Sequence, residues 1–177
     1  VRDPVDSKTV LTLLRELGNH CQGPGTVYIT GGSSAVVIGW RETTIDIDLK
    51  FQPEPAGIFA RIPELKNELN INIELAAPDD FVPALEGWKE RSQWIATHNR
   101  VDFHHFDFYT QALSKLERGH AKDEADVVAM VREDLVVPSK LLELYRQLSA
   151  EQLARYPSLE PASIEAAIQR FIQEHGD

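Results

Sequence analysis

The sequence predicts an α+β fold. A small β-sheet flanked by helices is expected over residues 1–108, and a C-terminal helical region packed on it, as one compact unit, over 109–177. Three observations carry this. Up to residue 108, short runs of strict apolar–polar alternation are interleaved with stripes at helical spacing. From Asp107 onward, every apolar pattern repeats at helical spacing. A chain of 177 residues can also bury roughly 70% of its unfolded surface, enough for one core without disulfides.

Taken in order, residues 7–20 predict a helix with Ser7 as N-cap and Val10, Leu11, Leu14 and Leu17 as its stripe. Gln22-Gly-Pro-Gly25 breaks the chain before a strand at 26–30. A Gly-Gly-Ser-Ser turn then opens a small-residue helix from Ser33 to Ile38, and a second strand follows from Ile45 to Phe51. Residues 58–69 have helical spacing, with Pro63 fitting best at a bend or first turn. Asn70–Ala76 alternates as a strand, with Ile71, Ile73 and Leu75 on one face and Asn70, Asn72 and Glu74 on the other.

Pro78–Pro83 is expected as a loop that can hold a helical turn, with Asp79 and Asp80 as caps rather than ligands, and 88–91 as irregular. Gln93–Thr97 and Val101–Phe106 form a hairpin; the adjacent His104 and His105 then face opposite sides. Helices are expected at Phe108–Arg118, Asp123–Val131, Pro138–Leu148, and from Pro161 or Ser163 onward.

The chemistry concentrates in residues 27–51. Side chains at i and i+2 of a strand share a face, so Asp46 and Asp48 point together. Two adjacent carboxylates repel unless a cation or proton lies between them, and a divalent metal is the usual reason to keep such a pair. Mg²⁺ takes one or two protein carboxylates and completes its shell with water and phosphate oxygens. Gly31, Gly32 and Ser33 supply the complementary half, a turn that lets backbone N–H groups approach an anion. Taken alone, a half-buried strand with one wet face and a simple tight turn would explain each half.

In this order, with twelve residues between Ser33 and Asp46, the stretch resembles the signature of the nucleotidyltransferase (DNA polymerase β-like) superfamily. Gly31, Gly32 and Ser33 match its first part, Asp46 and Asp48 its second. Arg41 and Thr44 match the loop of the minimal bacterial members. The resemblance implies a nucleotidyltransferase core that binds two Mg²⁺ ions at Asp46 and Asp48 and an NTP at Gly31, Gly32, Ser33 and Arg41, and that transfers an NMP to an acceptor. Glu74 is the candidate third carboxylate by strand position, or else one exposed strand glutamate.

A second constellation lies at 111–127. Lys115 and Arg118 share one helix face, and Asp123 and Asp126 share a face of the next. A helix–helix ion-pair staple explains this spacing. The stretch also resembles an element of the nucleotidyltransferase-type toxins of abortive-infection systems, which implies that Lys115 touches the triphosphate and that Asp123 positions it or lies at the site. That resemblance admits a toxin–antitoxin setting with a small cognate partner protein, and an acceptor that is tRNA, a protein or a small molecule. The alternative is a catalytically degenerate binding or antitoxin module of the same fold.

The net charge of −10, with no strongly basic stretch, argues against a broad nucleic-acid surface. The single Cys21 excludes an intrachain disulfide and reads as a buried thiol. No apolar run approaches a membrane span, and Val1–Ser7 is not a signal peptide, so a cytoplasmic protein is expected; the missing initiator Met suggests a processed or trimmed chain.

Overall fold

A computed structural model describes residues 1–177. The fold is α+β, with a five-stranded mixed sheet and nine α-helices. The chain contacts divide it into two compact units: Val1–Ala77 with Gln93–Phe106, and Pro78–Ser92 with Asp107–Asp177. The helical unit therefore takes in residues 78–92 as well as the stretch from 107, whereas the sequence pattern alone places the change of texture near residue 108.

The first unit opens with α1 (Ser7–His20), capped by Asp6, whose carboxylate accepts from Thr9 N–H at 2.8 Å. The cap is thus one residue earlier than the expected Ser7, and the buried stripe is Val10, Leu13, Leu14 and Leu17; Leu11 is exposed. Then come β1 (Gly25–Thr30), α2 (Gly32–Ile38), β2 (Asp46–Phe51) and α3 (Ile58–Glu68). Pro63 lies inside α3, not in its first turn. β3 is only Asn72–Glu74, shorter than the alternation suggests. Asn70 adopts φ +51°, a left-handed conformation that Asn tolerates, and so turns the chain out of α3; Leu75 lies past the strand end and is exposed. β4 (Gln93–His98) and β5 (Val101–His105) complete the sheet.

Strand order is β3-β2-β1-β5-β4. β1 runs antiparallel to β2 and parallel to β5; β2 is parallel to β3, and β4 antiparallel to β5. One face carries Val27, Ile29, Ile47, Leu49, Ile73, Val101 and Phe103, which form one core with the stripe of α1, Val36 of α2, and Ile58, Ile62 and Leu65 of α3. Burying these side chains fixes the register, because a one-residue slip would turn the whole set to the other face. The opposite face carries Thr30, Asp46, Asp48, Asn72 and Glu74. Packing the apolar face is what leaves the acidic residues together.

In the second unit, a 3₁₀ turn at Pro78–Asp80 and the short α4 (Trp88–Arg91) precede α5 (Phe108–Arg118), α6 (Ala121–Arg132), α7 (Pro138–Arg146), α8 (Ala150–Ala154) and α9 (Pro161–His175). Asp107 caps α5: its carboxylate accepts from Tyr109 N–H, Thr110 N–H and the Thr110 hydroxyl. It is also held bidentately by Arg91 at 3.0 and 2.8 Å. Leu85 N–H donates to Thr110 Oγ1, and the Tyr156 hydroxyl donates to Asp79 O at 2.6 Å. These bonds bind 78–92 to the helices. Ala112, Leu113, Leu116, Val127, Met130, Leu141, Ile164, Ile168 and Phe171 are buried. No helix is long and apolar enough to cross a membrane.

Candidate active site

The site in the first unit is built on the junction β1–α2–β2. Gly31 has φ +63° and ψ −133°, outside the ordinary range of L-residues, and turns the chain sharply from β1 into α2. A Cβ at Gly31 would lie 3.3 Å from Asp48 Oδ2. At Gly32 a Cβ would collide with Thr44, 2.1 Å from its Oγ1, and would sit 3.4 Å from Arg41 Nη1. The Asp48 carboxylate therefore approaches the bend at Gly31, and the Arg41 guanidinium approaches it at Gly32. Small residues are required here because side chains from β2 and its preceding loop occupy the space a Cβ would need.

That loop is fixed from both ends. Val5 and Thr44 exchange backbone hydrogen bonds of 2.7 and 2.9 Å as an isolated antiparallel bridge. Arg41 N–H donates to Ala35 O, and the Thr44 hydroxyl donates to Asp46 O at 3.2 Å. The N-terminal segment thus helps to hold Arg41 beside the start of α2.

Asp46, Asp48 and Glu74 lie on one face of the sheet. Thr30 is the antiparallel register partner of Asp48, and Glu74 is its parallel partner. Asp46 pairs in register with Asn72, whose amide donates to Asp46 Oδ1 at 2.7 Å and to Glu74 Oε1 at 3.0 Å. Asn72 thus bridges Asp46 and Glu74, and Asp48 lies in register with Glu74 on the same face; carboxylates gathered on one face favour a bound cation. Two buried hydroxyls at the bend, Thr30 Oγ1 and Ser33 Oγ, have no hydrogen-bond partner, a costly arrangement that buried polar groups rarely keep.

Below the bend, Ser34 and His105 form a supporting contact that the sequence did not signal. The Ser34 hydroxyl donates to Ile29 O at 3.2 Å, so its oxygen accepts from His105 Nδ1–H at 2.8 Å. Burial, and secondarily the charge of His104, lowers the His105 pKa from 6.5 to about 4, so the ring is neutral. As expected, His104 and His105 point to opposite faces.

Lys115 and Asp123 belong to the second unit. Lys115 Nζ is buried, 2.9 Å from Asp126 Oδ2 and 3.7 Å from Asp123 Oδ1, and Arg118 Nη2 donates to Asp123 Oδ1 at 2.6 Å. The four residues form the staple between α5 and α6 that their spacing allows. The buried residues of α6 are Asp123, Asp126, Val127, Ala129 and Met130, so the two aspartates of the staple lie on its inner face. Cys21 is buried, with its thiol donating to Leu17 O and its pKa raised by burial.

Apposition of a Gly-Gly bend with carboxylates on the next strand is the arrangement that the sequence signature implies. A family model described as nucleotidyltransferase of unknown function (DUF6036) matches residues 8–170. The chain belongs to this family. The match runs from α1 into α9 and so spans parts of both units. Family membership supports a general nucleotidyltransferase role. No curated protein and no solved structure is significantly similar to the chain.

Proposed function

We propose that the protein is an Mg²⁺-dependent enzyme that transfers an NMP from an NTP to a hydroxyl of an acceptor. The observation that carries this reading is the 3.3 Å approach of Asp48 Oδ2 to the Cβ position of Gly31, which joins the carboxylate face to the bend in a single site. The residues present suit the metal: hard oxygen donors from Asp46 and Asp48 share a face, with Glu74 beside them. The bend suits a triphosphate, because a cradle without Cβ atoms brings backbone close to the anion and Arg41 adds positive charge.

When bound, Mg²⁺ would acidify the acceptor hydroxyl and neutralise charge on both the entering and leaving oxygens. Asp46 and Asp48 would hold it, with Glu74 as further ligand or as acceptor of the proton released. Gly31, Gly32 and the N–H of Ser33 would orient the β- and γ-phosphates, and Arg41 would stabilise negative charge developing on pyrophosphate. The acceptor oxygen forms its bond to the α-phosphorus as the α–β phosphoanhydride bond breaks.

Incubating the protein with Mg²⁺, a cell extract and each of the four NTPs, labelled at the α- or γ-phosphate, tests the proposal. The α-label should pass to an RNA, protein or small-molecule acceptor and the γ-label should not, with transfer lost in Asp46→Asn and Asp48→Asn. Labelled tRNA, or a labelled protein encoded beside this chain, would place it in a toxin–antitoxin setting. Transfer of the γ-label, or no transfer at all, contradicts the proposal.

A further inference from the structure

Asn72 lies beside the carboxylates but belongs to none of the groups assigned above. It sits on β3 in direct register with Asp46, and two residues before Glu74 on the same face. Its Nδ2 is 2.7 Å from Asp46 Oδ1 and 3.0 Å from Glu74 Oε1. Ionised carboxylates only accept, so the amide edge facing both oxygens must be the NH₂, whose two hydrogens serve one carboxylate each. A neutral side chain thus joins two anions that would otherwise repel across adjacent strands.

Each bond engages one oxygen of its carboxylate. Asp46 Oδ2 and Glu74 Oε2 take no part in the clamp. The geometry therefore sets the orientation of both groups without consuming either of them. A side chain that hydrogen-bonds a ligating carboxylate in this way fixes its rotamer before the ion arrives, which lowers the cost of ordering the site.

We infer that Asn72 is a positioning residue for the metal site: it aligns Asp46 and Glu74 for joint coordination of a divalent cation, which makes Glu74 the third carboxylate. This rests on the metal-dependent reading above. Asn72 itself touches neither substrate nor metal. Its loss weakens cation binding first and slows transfer only through the weaker site.

Mn²⁺ titration of the full chain without nucleotide, followed by the electron paramagnetic resonance signal of the free ion, tests this directly. Wild type, Asn72→Ala, Asn72→Leu and Glu74→Gln are compared, with thermal melting of each. Asn72→Leu keeps the shape of the side chain and removes its donor. The two Asn72 variants and Glu74→Gln are expected to bind Mn²⁺ about 10- to 100-fold more weakly, with melting temperatures near wild type. In the two Asn72 variants, activity should show a higher Mg²⁺ requirement, with the rate at saturating Mg²⁺ largely restored. Affinity within twofold of wild type in both Asn72 variants overturns the inference and leaves the proposed function intact. Loss of the fold in both also overturns it, by assigning Asn72 to stability. Absence of Mn²⁺ binding in wild type overturns the inference and the proposed function together.

Discussion

Asp48 Oδ2 and the α-carbon of Gly31 are neighbours across the turn between β1 and β2: a methyl group added to Gly31 would stand 3.3 Å from that oxygen. The contact couples backbone conformation to site chemistry. Gly31→Ala introduces a side chain at φ +63°, a strain of order 1–3 kcal/mol, and crowds the carboxylate. Urea denaturation should show that loss, and Mn²⁺ affinity should fall at least tenfold. Unchanged Mn²⁺ binding in a destabilised variant would separate the bend from the metal site.

The Lys115–Asp126 pair makes a different prediction. Both side chains are buried, and removing one partner of such a pair leaves an uncompensated charge at a cost of about 3–5 kcal/mol. Lys115→Met should destabilise the protein by that order in urea, and the double change Lys115→Met with Asp126→Leu should recover much of it. A stable Lys115→Met that had lost NTP binding would support the contact with the triphosphate that the sequence resemblance implies.

His105 gives a pH signature. Its folded-state pKa is depressed from 6.5 to about 4 by burial, so protons bind more readily to the unfolded chain. The stability it supports is complete above pH 6.5 and is lost as pH falls from 6.5 toward 4, by about 3 kcal/mol in total. Urea midpoints measured across that range should fall with acid in wild type and fall less in His105→Gln. Equal slopes would show that His105 does not titrate as buried.

Much of the site was legible because it is local. The turn Gly31-Gly32-Ser33 and the alternation Asp46-Ile47-Asp48 lie within a short stretch, and period-two patterning decides which residues share a face. Register was not legible. That Asn72 stands opposite Asp46 depends on how β3 docks along β2, which no single strand encodes. Nor was the contact of His105 with Ser34, 71 residues apart. Among the helices, α4 and α8 escaped because each is one turn or little more, too short for a periodic stripe. The capping box of Ser149 and Gln152 was the available signal for α8. At α1, Asp6 outcompetes Ser7 as cap because its carboxylate reaches the Thr9 amide.

The most direct measurement is anomalous diffraction from crystals soaked with Mn²⁺ and a non-hydrolysable NTP analogue. Metal density between the carboxylates of Asp46 and Asp48, with the triphosphate lying along Gly31, Gly32 and Ser33, is the predicted result. Well-ordered nucleotide bound elsewhere, with no metal at Asp46 and Asp48, would contradict it.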